Sequence, residues 1–175
     1  LGLLLSTPAA AQDQRVTAYE TEEGLPKMQV WDGLQGPEGY LWLGLYGSGL
    51  ARFDGQEFTH FTIEDGLPGN LVTTVHTDST GALWIGTLSG LARYDGQEIE
   101  TFTAENSPLA QNGIQSIVGG EGGRPVWVGT PDNLYAYDGE GLRVLAPDRL
   151  QNLHPGSLAS RGDTLWVGTS SGLYR

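Results

Sequence analysis

Histidine and aspartate are the residues of this sequence best suited to acid–base or metal chemistry. The chain has three histidines and no cysteine. His60, His76 and His154 lie far apart in the sequence, a spacing that does not predict a metal site. Four aspartates have similar neighbours, with an aromatic residue or a strand before them and a glycine turn after them. They are Asp54, Asp78, Asp95 and Asp138. Aspartate at such a turn hydrogen-bonds nearby backbone, so we predict a structural role for them and no catalytic residue.

Sequence motifs of common enzyme classes are also lacking. The chain contains no G-x-S-x-G, no phosphate-binding glycine loop and no H-E-x-x-H. We therefore predict no metal and no cofactor.

The aspartates recur because the sequence repeats itself about every 40 residues. The stretch LWLGLYGSGLARFDGQ at 41–56 returns as LWIGTLSGLARYDGQ at 83–97. Tryptophans recur at intervals of 42, 43 and 39 residues, each followed two positions later by glycine. The four pairs are Trp42 and Gly44, Trp84 and Gly86, Trp127 and Gly129, and Trp166 and Gly168.

Each repeat predicts four short strands. In the second repeat these cover 71–78, 83–87, 91–94 and 98–103, separated by turns such as Asp95-Gly96, a pair favoured in tight hairpins. Helical periodicity is almost absent. A repeat of this length with four antiparallel strands is typical of a β-propeller blade, and we predict an all-β propeller with about four four-stranded blades.

The repeated tryptophans are predicted to hold neighbouring blades together. A tryptophan and the glycine two residues later point to the same face of a strand, so the glycine leaves room for the next blade. Burying an indole of roughly 200 Å² at about 25 cal/mol/Å² stabilises the fold by at most about 5 kcal/mol. We expect a structural role rather than a ligand platform.

The predicted blades cover 27–62, 69–103, 112–146 and, in part, 153–175. Residues 16–24 align with 58–66 without a gap, so 16–20 predicts an outer strand with no blade of its own before it. Either this strand completes the fourth blade of a closed four-bladed ring, or the chain is part of a larger ring. We favour the larger ring.

A ligand site is predicted at the mouth of the central channel, where the loops entering the innermost strands converge. Those loops carry Lys27, Gln29, Asn70 and Asn112, whose groups suit a neutral polar ligand such as a sugar. The alternative, which we favour for the asparagines, is that each caps its own turn through the backbone.

Charge and the first residues bear on partners and compartment. The formal net charge is −12, from 9 basic and 21 acidic side chains, which disfavours nucleic acid. Residues 1–11, LGLLLSTPAAA, resemble the end of a secretory signal peptide with cleavage before Gln12. They are too short to span a membrane, and we predict an exported protein.

The residues at 65–96, DGLPGNLVTTVHTDSTGALWIGTLSGLARYDG, resemble the two-component regulator propeller repeat. The first repeat departs from this pattern at Gly36, at Leu45 and by an extra residue before Gly49. The third lacks a clean Gly-Leu-Pro, and the fourth keeps only LWVGTSSGLYR.

The resemblance implies a seven-bladed ring in the periplasmic sensor region of a regulator anchored in the inner membrane. It implies a small polar ligand, with oligosaccharides as one class, and an output domain such as a histidine kinase, absent from these residues. Remaining blades and the output domain of the same polypeptide, and a homodimer of the full-length protein, are the other partners that it implies.

Two alternatives remain open. A propeller enzyme acting on polysaccharide would need acid–base residues in one blade only, for which His76 and Glu38 are weak candidates. A scaffold that binds protein through its blade edges or faces is a third hypothesis that is also compatible with the sequence.

Overall fold

The computed structural model describes residues 17–19, 24–26, 29–109, 113–145 and 153–175. Fifteen strands run through these residues, with short 3-10 helices at Ile63–Asp65 and Glu121–Gly123. The first two blades comprise β1 (Val30–Gln35), β2 (Leu41–Leu45), β3 (Gly49–Phe53), β4 (Phe58–Phe61), β5 (Val72–Thr77), β6 (Leu83–Thr87), β7 (Gly90–Tyr94) and β8 (Ile99–Phe102). The other two comprise β9 (Ser116–Gly119), β10 (Val126–Gly129), β11 (Leu134–Tyr137), β12 (Leu142–Leu145), β13 (Leu153–Arg161), β14 (Thr164–Thr169) and β15 (Gly172–Tyr174).

The strands form four antiparallel sheets in chain order, three of four strands and one of three. The predicted all-β propeller architecture is confirmed. In the second blade the observed strands differ from the predicted ones by at most one residue at each end. Short apolar runs separated by Asp-Gly and Ser-Gly turns dictate this meander, because each turn brings the next strand alongside the last.

The first strand of each blade lies innermost, and successive blades pack through it: β1 against β5, β5 against β9, and β9 against β13. We call the face of a blade toward the following blade its distal face, and the opposite face its proximal face. Side chains alternate between them. Trp84 and Gly86 point distally, while Leu83 and Ile85 point proximally into the first blade.

The core lies between blades rather than within them. One buried cluster joins Trp42 and Leu50 to Leu83 and Ile85 of the next blade. A second joins Trp84 and Leu91 to the third blade, and the third cluster joins the third blade to the fourth. Because one small sheet cannot cover its own two faces, each blade is stabilised mainly by its neighbours.

The repeated glycines make these interfaces close. A Cβ built on Gly44 would lie 2.8 Å from Val72 Cγ1, and one on Gly86 would lie 2.7 Å from Ile114 Cγ2. In both cases the contact is with the branched residue at or just before the innermost strand of the next blade. The glycine therefore admits that residue, which any larger side chain would displace.

The segment before the first blade packs as the outer edge of a preceding blade would. Tyr19 meets the Phe53 ring at 4.8 Å, as Phe61 of the first blade meets Tyr94 of the second at 5.7 Å. Residues 17–19 carry no strand assignment, and the remainder of the predicted outer strand, Val16 and Glu20, lies outside the described residues. So does the predicted signal remnant at 1–11.

Candidate functional site

An exposed pair of aromatic rings lies at the start of the innermost strand of the first blade. The Trp31 and Tyr46 ring centroids are 4.5 Å apart and the planes are inclined by 32°. Both side chains are well exposed, unlike Trp42 and Trp84 of the same two blades, which are buried. We call Trp31 and Tyr46 the aromatic mouth pair.

A β-bulge turns Trp31 toward this surface. The β1–β2 register shifts between Val30, which pairs with Leu45, and Asp32, which pairs with Gly44, so Trp31 is the extra residue. A bulge re-aims the inserted side chain out of the normal alternation. The second blade has the same bulge, and there the inserted Thr73 donates a 2.6 Å hydrogen bond to the Ile114 carbonyl of the third blade.

Gln29 holds the aromatic mouth pair in place. Its side-chain Oε1 accepts a 3.2 Å hydrogen bond from Trp31 Nε1, and its carbonyl accepts one of 3.0 Å from the Tyr46 backbone N–H. The predicted ligand residue thus lies beside both rings.

The aromatic mouth pair also borders the second blade. Tyr46 forms an isolated bridge with Leu71, and the Asn70 carbonyl accepts hydrogen bonds from the Gly47 and Gly49 N–H groups at 3.0 and 2.9 Å. On the other side of the bulge, Asp32 Oδ2 accepts 2.9 Å from the Val75 N–H of the second blade. Contacts between the first two blades therefore fix the backbone on both sides of Trp31.

The same end of the second blade carries an open cleft of about 360 Å³. It is lined by Leu88, Ser89, Thr103, Ala104 and Glu105. Leu88 takes the place of Tyr46 in the repeat and is exposed. This surface is less aromatic than that of the first blade.

The remaining predicted ligand residues have other positions. The Asn70 side chain accepts a 3.0 Å hydrogen bond from the Ile63 N–H, at the first residue of a 3-10 helix. This is the capping alternative to ligand binding. Lys27 and Asn112 lie outside the described residues.

The Asp78 carboxylate accepts hydrogen bonds within its own blade. It accepts a 2.8 Å hydrogen bond from Trp84 Nε1 and further bonds from Thr80 and the Ala82 N–H. Partial burial raises the pKa of Asp78, but these hydrogen bonds outweigh burial and hold the pKa below its usual value.

The other repeated aspartates bind the backbone of their own turns. Asp54 accepts hydrogen bonds from the Gln56 and Glu57 N–H groups, both at 2.8 Å, and Asp95 does so at the matching positions of the second blade. Those backbone bonds, led by Glu57 and Glu98 respectively, lower the pKa of both carboxyls. Asp138 accepts from the Glu140 N–H. All three are exposed, and their carboxylates bind the backbone of their own turns.

Two histidines join neighbouring segments. His76 Nε2 donates to the Gly119 carbonyl of the third blade at 2.8 Å, and His60 Nε2 donates to the Gly24 carbonyl at 2.9 Å. Glu38 is exposed on the β1–β2 turn. No cluster of three or more potential metal ligands occurs among the described residues.

A second cleft, of about 370 Å³, opens between the second and third blades at the end bearing the β5–β6 turn. Its wall includes Arg93, whose guanidinium lies over the Trp84 ring, and Arg124, which forms a 2.7 Å ion pair with Asp163. Tyr137 also lines it, and burial raises the pKa of its phenol. Arg124 is thus engaged with Asp163, whereas Arg93 contacts the Trp84 ring and its Nε is buried without a hydrogen-bond partner.

The repeated tryptophans differ in burial along the chain. Trp42 and Trp84 are buried, Trp127 is partly buried in the third core cluster, and Trp166 is exposed on the fourth blade. Gly44 and Gly86 lie against the following blade, whereas a Cβ built on Gly168 would lie 3.5 Å from the Ser157 carbonyl oxygen of its own blade.

The aromatic mouth pair can bind a ligand by stacking and by hydrogen bonding. The two ring surfaces suit a flat apolar face, while the Gln29 amide and the Tyr46 hydroxyl can meet polar groups at its edge. Neither aromatic residue was predicted from the sequence, because the predictions rest on positions that repeat and these two positions do not. The available signal was the count of five tryptophans against four repeats.

Comparison with known proteins agrees with this architecture. The family model described as two component regulator propeller matches residues 66–89. That match lies in the second blade and identifies this segment as such a repeat, confirming the resemblance drawn from the sequence. No curated protein matches the chain significantly in sequence.

Solved structures with the same fold include extracellular domains of B. thetaiotaomicron proteins. The extracellular domain of the hybrid two component system BT3049 from B. thetaiotaomicron superposes with a TM-score of 0.75 at 18% identity, over 90% of this chain and 23% of that one. The corresponding domain of BT4673 gives 0.66 at 26% identity, over 86% and 21%. This chain thus spans about a quarter of the length of those relatives.

An enzyme shares the fold as well. A catalytically inactive H270A form of virginiamycin B lyase from Staphylococcus aureus superposes with a TM-score of 0.63 at 18% identity, over 82% of this chain and 50% of that one. Identity this low shows the fold alone. Within the described part of the chain, no helix has the length and apolar character needed to cross a membrane.

Proposed function

We propose that this propeller is the extracytoplasmic ligand-sensing part of a two-component signal transduction regulator. It binds a neutral polar ligand of the carbohydrate class at the mouth of the channel and passes the signal to an output domain outside these residues. It has no catalytic role of its own.

The aromatic mouth pair carries the proposal. Exposed apolar surface of this kind is costly in water. The two ring centroids lie 4.5 Å apart, and Gln29 bonds both the Trp31 indole and the Tyr46 backbone, so the platform is present before a ligand binds. Sugars present flat C–H faces rimmed by hydroxyls, which matches two aromatic faces with an amide beside them. A preformed platform binds with little loss of side-chain entropy.

Electrostatics favours a neutral ligand. The net charge of −12 opposes phosphates, sulfates and nucleic acid. Among the contacts of the described residues, no basic side chain is a partner of either ring of the aromatic mouth pair. Recognition then depends on stacking and neutral hydrogen bonds.

The compartment is proposed on two supports. Residues 1–11 have the character of a signal-peptide end. Two of the structural relatives are extracellular domains of two component systems. We infer export to the periplasm, with the intact regulator held in the inner membrane.

Calorimetric titration of a panel of neutral oligosaccharides tests the proposal. We expect one member to bind the wild type, and Trp31→Ala to weaken binding at least about tenfold, since loss of a central aromatic contact costs roughly 2 kcal/mol. Leu88→Ala is the matched control at the equivalent end of the second blade and should leave affinity unchanged. Equal affinity of the wild type and Trp31→Ala would overturn the site, and release of cleaved products would make the chain an enzyme.

A further inference from the structure

A small pocket lies between the first and second blades, at the end opposite the aromatic mouth pair. It has a volume of about 40 Å³, which is room for roughly three water-sized groups. The first blade contributes the β1–β2 turn and Trp42, and the second contributes Thr77, Leu83 and the turn after β7. We call it the Gly36 pocket, after the buried glycine in its wall.

Gly36 breaks the repeat at a position where the second blade has a carboxylate. The equivalent residue is Asp78. Its carboxylate accepts hydrogen bonds from the Thr80 N–H, the Ala82 N–H and Trp84 Nε1, at 2.8, 3.2 and 2.8 Å. Although partial burial raises the pKa of Asp78, these bonds hold it below its usual value, so such a set of donors favours an ionised carboxylate.

The turn 36–40 of the first blade has the same backbone conformation as the turn 78–82. In both, the N–H of the first residue donates to the carbonyl of the last, at 2.8 and 3.0 Å, and the N–H of the fourth donates to the carbonyl of the first, at 3.0 Å in each. The fourth residue is a glycine with positive φ in both, +91° at Gly39 and +86° at Gly81. The N–H groups of the third and fifth residues therefore point the same way in the two turns.

The matching donors of the first blade have no acceptor in the chain. Among the hydrogen bonds of the described residues, none is donated by the Glu38 N–H, the Tyr40 N–H or Trp42 Nε1. Trp42 is 6% exposed and lines the Gly36 pocket. An unpaired donor on a buried side chain is costly, and an acceptor in the pocket would remove that cost. The pocket thus presents the donor arrangement that holds a carboxylate in the next blade.

A cation lies beside these donors. The Arg52 guanidinium is 4.6 Å from the Tyr40 ring centre and 5.9 Å from that of Trp42, and its Nε is buried without a hydrogen-bond partner. It makes one long hydrogen bond, 3.5 Å from Nη2 to the Thr59 hydroxyl, and no ion pair with the described residues. Its charge would stabilise an anion at Trp42 Nε1.

Two acidic side chains also line the Gly36 pocket, Glu38 and Asp95. Asp95 does not exclude a carboxylate, because its counterpart Asp138 lines the cleft that contains the Asp78 carboxylate. Glu38 is exposed, so its side chain can turn toward solvent. The net charge of −12 weakens the attraction for any anion, and binding therefore depends on the local donors.

We propose that the Gly36 pocket binds a small monocarboxylate of the size of formate or acetate. Trp42 Nε1 and the N–H groups of Glu38 and Tyr40 donate to its two oxygens, as their counterparts do to the carboxylate of the second blade. The pocket volume suits the three heavy atoms of a carboxylate group. This site goes beyond the proposed function and does not depend on the aromatic mouth pair, which lies at the other end of the blade.

Titration of the 175-residue chain with sodium acetate at neutral pH tests the proposal. The readout is the Trp42 indole N–H signal of a ¹H–¹⁵N spectrum, assigned through the contacts of this ring with Phe61 and Tyr94. We expect it to shift saturably in the millimolar range, with the Trp31 and Trp84 signals fixed. Sodium chloride at equal ionic strength, and acetamide as a neutral molecule of the same size, are the controls and should leave it in place. No response to acetate, or an equal response to either control, overturns the proposal.

Gly36→Asp gives the first blade the carboxylate that the second blade has. The φ of Gly36 is not positive, and a Cβ there would lie 3.1 Å from Trp42 Nε1, which a small movement of the indole accommodates. The variant should move the Trp42 signal in the direction that acetate moves it in the wild type, and its acetate affinity should fall at least about tenfold. Gly36→Ala is the matched control, since it adds the Cβ without the oxygens. Its Trp42 signal should stay near the ligand-free position, and a shift as large as that of Gly36→Asp would contradict the proposal.

Glu38→Ala distinguishes a bound acid from the chain's own side chain. The substitution keeps the Glu38 backbone N–H and removes a negative charge from the pocket wall, so acetate binding should tighten a few-fold. The Trp42 signal should be unchanged before acetate is added. If the substitution itself moves that signal in the wild type's acetate-free buffer and acetate then reverses the movement, the Glu38 carboxylate is the resident acceptor and the proposal is wrong.

Discussion

The Trp84 indole N–H donates a 2.8 Å hydrogen bond to the Asp78 carboxylate, six residues earlier on the β5–β6 turn. This bond links the buried face of the second blade to the turn that begins its second strand. The first blade has Gly36 in place of Asp78, so there the indole of Trp42 has no carboxylate at that position.

Replacing Asp78 should destabilise the fold. Asp78→Ala leaves the buried Trp84 N–H without its acceptor, which costs about 1–3 kcal/mol, and urea unfolding followed by tryptophan fluorescence measures the loss. Asp78→Asn keeps an acceptor oxygen and should lose less. Equal stability of all three proteins would contradict the role assigned to this bond.

Lowering the pH should remove the stabilisation that the Asp78 carboxylate provides. Because the folded-state pKa of Asp78 lies below its unfolded value, near 3.9, the carboxylate stabilises the fold above that pH. The contribution is lost as the pH falls through the folded-state pKa. The difference in unfolding free energy between the wild type and Asp78→Asn should therefore be constant near neutral pH and shrink below about pH 4. A difference that stayed constant in acid would argue against it.

Gly86→Ala should destabilise the fold, whereas Gly168→Ala should leave its stability nearly unchanged. The new methyl group would lie 2.7 Å from Ile114 Cγ2 and 2.8 Å from Thr74 Cγ2, so overpacking should cost about 1–3 kcal/mol. At Gly168 the closest atom is 3.5 Å away, and the change should stay within about 0.5 kcal/mol. Thermal denaturation of the pair makes the comparison. A double-mutant cycle with Ile114→Ala should show favourable coupling, and additive losses would place the strain elsewhere.

Asn70→Ala should affect stability and spare ligand binding. Its side chain caps the Ile63 N–H, and losing that bond should cost about 1 kcal/mol. Asn70→Asp keeps an acceptor and serves as the control. Loss of ligand affinity in Asn70→Ala at unchanged stability would return Asn70 to the binding site.

The blades could be predicted from the sequence because their signals are local. In the segment 83–96, the alternation of apolar residues, the Asp-Gly turn and the Trp and Gly pair each depend on a few neighbouring residues, and the observed strands follow them closely. The same local chemistry indicated the turn role of Asp54 and Asp95, whose carboxylates bind backbone N–H groups two and three residues away.

The aromatic mouth pair could not be predicted in this way. Trp31 reaches Tyr46 only because a bulge changes the direction of one side chain, and a bulge has no simple sequence signature. Burial of Trp166 likewise depends on whether another blade covers it, which the repeat itself does not encode. A functional residue is best sought at positions that break the repeat. Trp31 is one, because the equivalent position of the second repeat is Thr73.

The central claim is that the repeated tryptophans hold the blades together while Trp31 binds ligand, and the five indole N–H signals of a ¹H–¹⁵N spectrum test it most directly. The Trp84 N–H, buried and bonded to Asp78, should exchange slowly with deuterium and stay fixed when a binding oligosaccharide is added. The Trp31 N–H should be the signal that shifts on addition, and it should be missing from the spectrum of Trp31→Ala. Ligand-induced shifts at Trp42 or Trp84 with Trp31 unmoved would contradict the account.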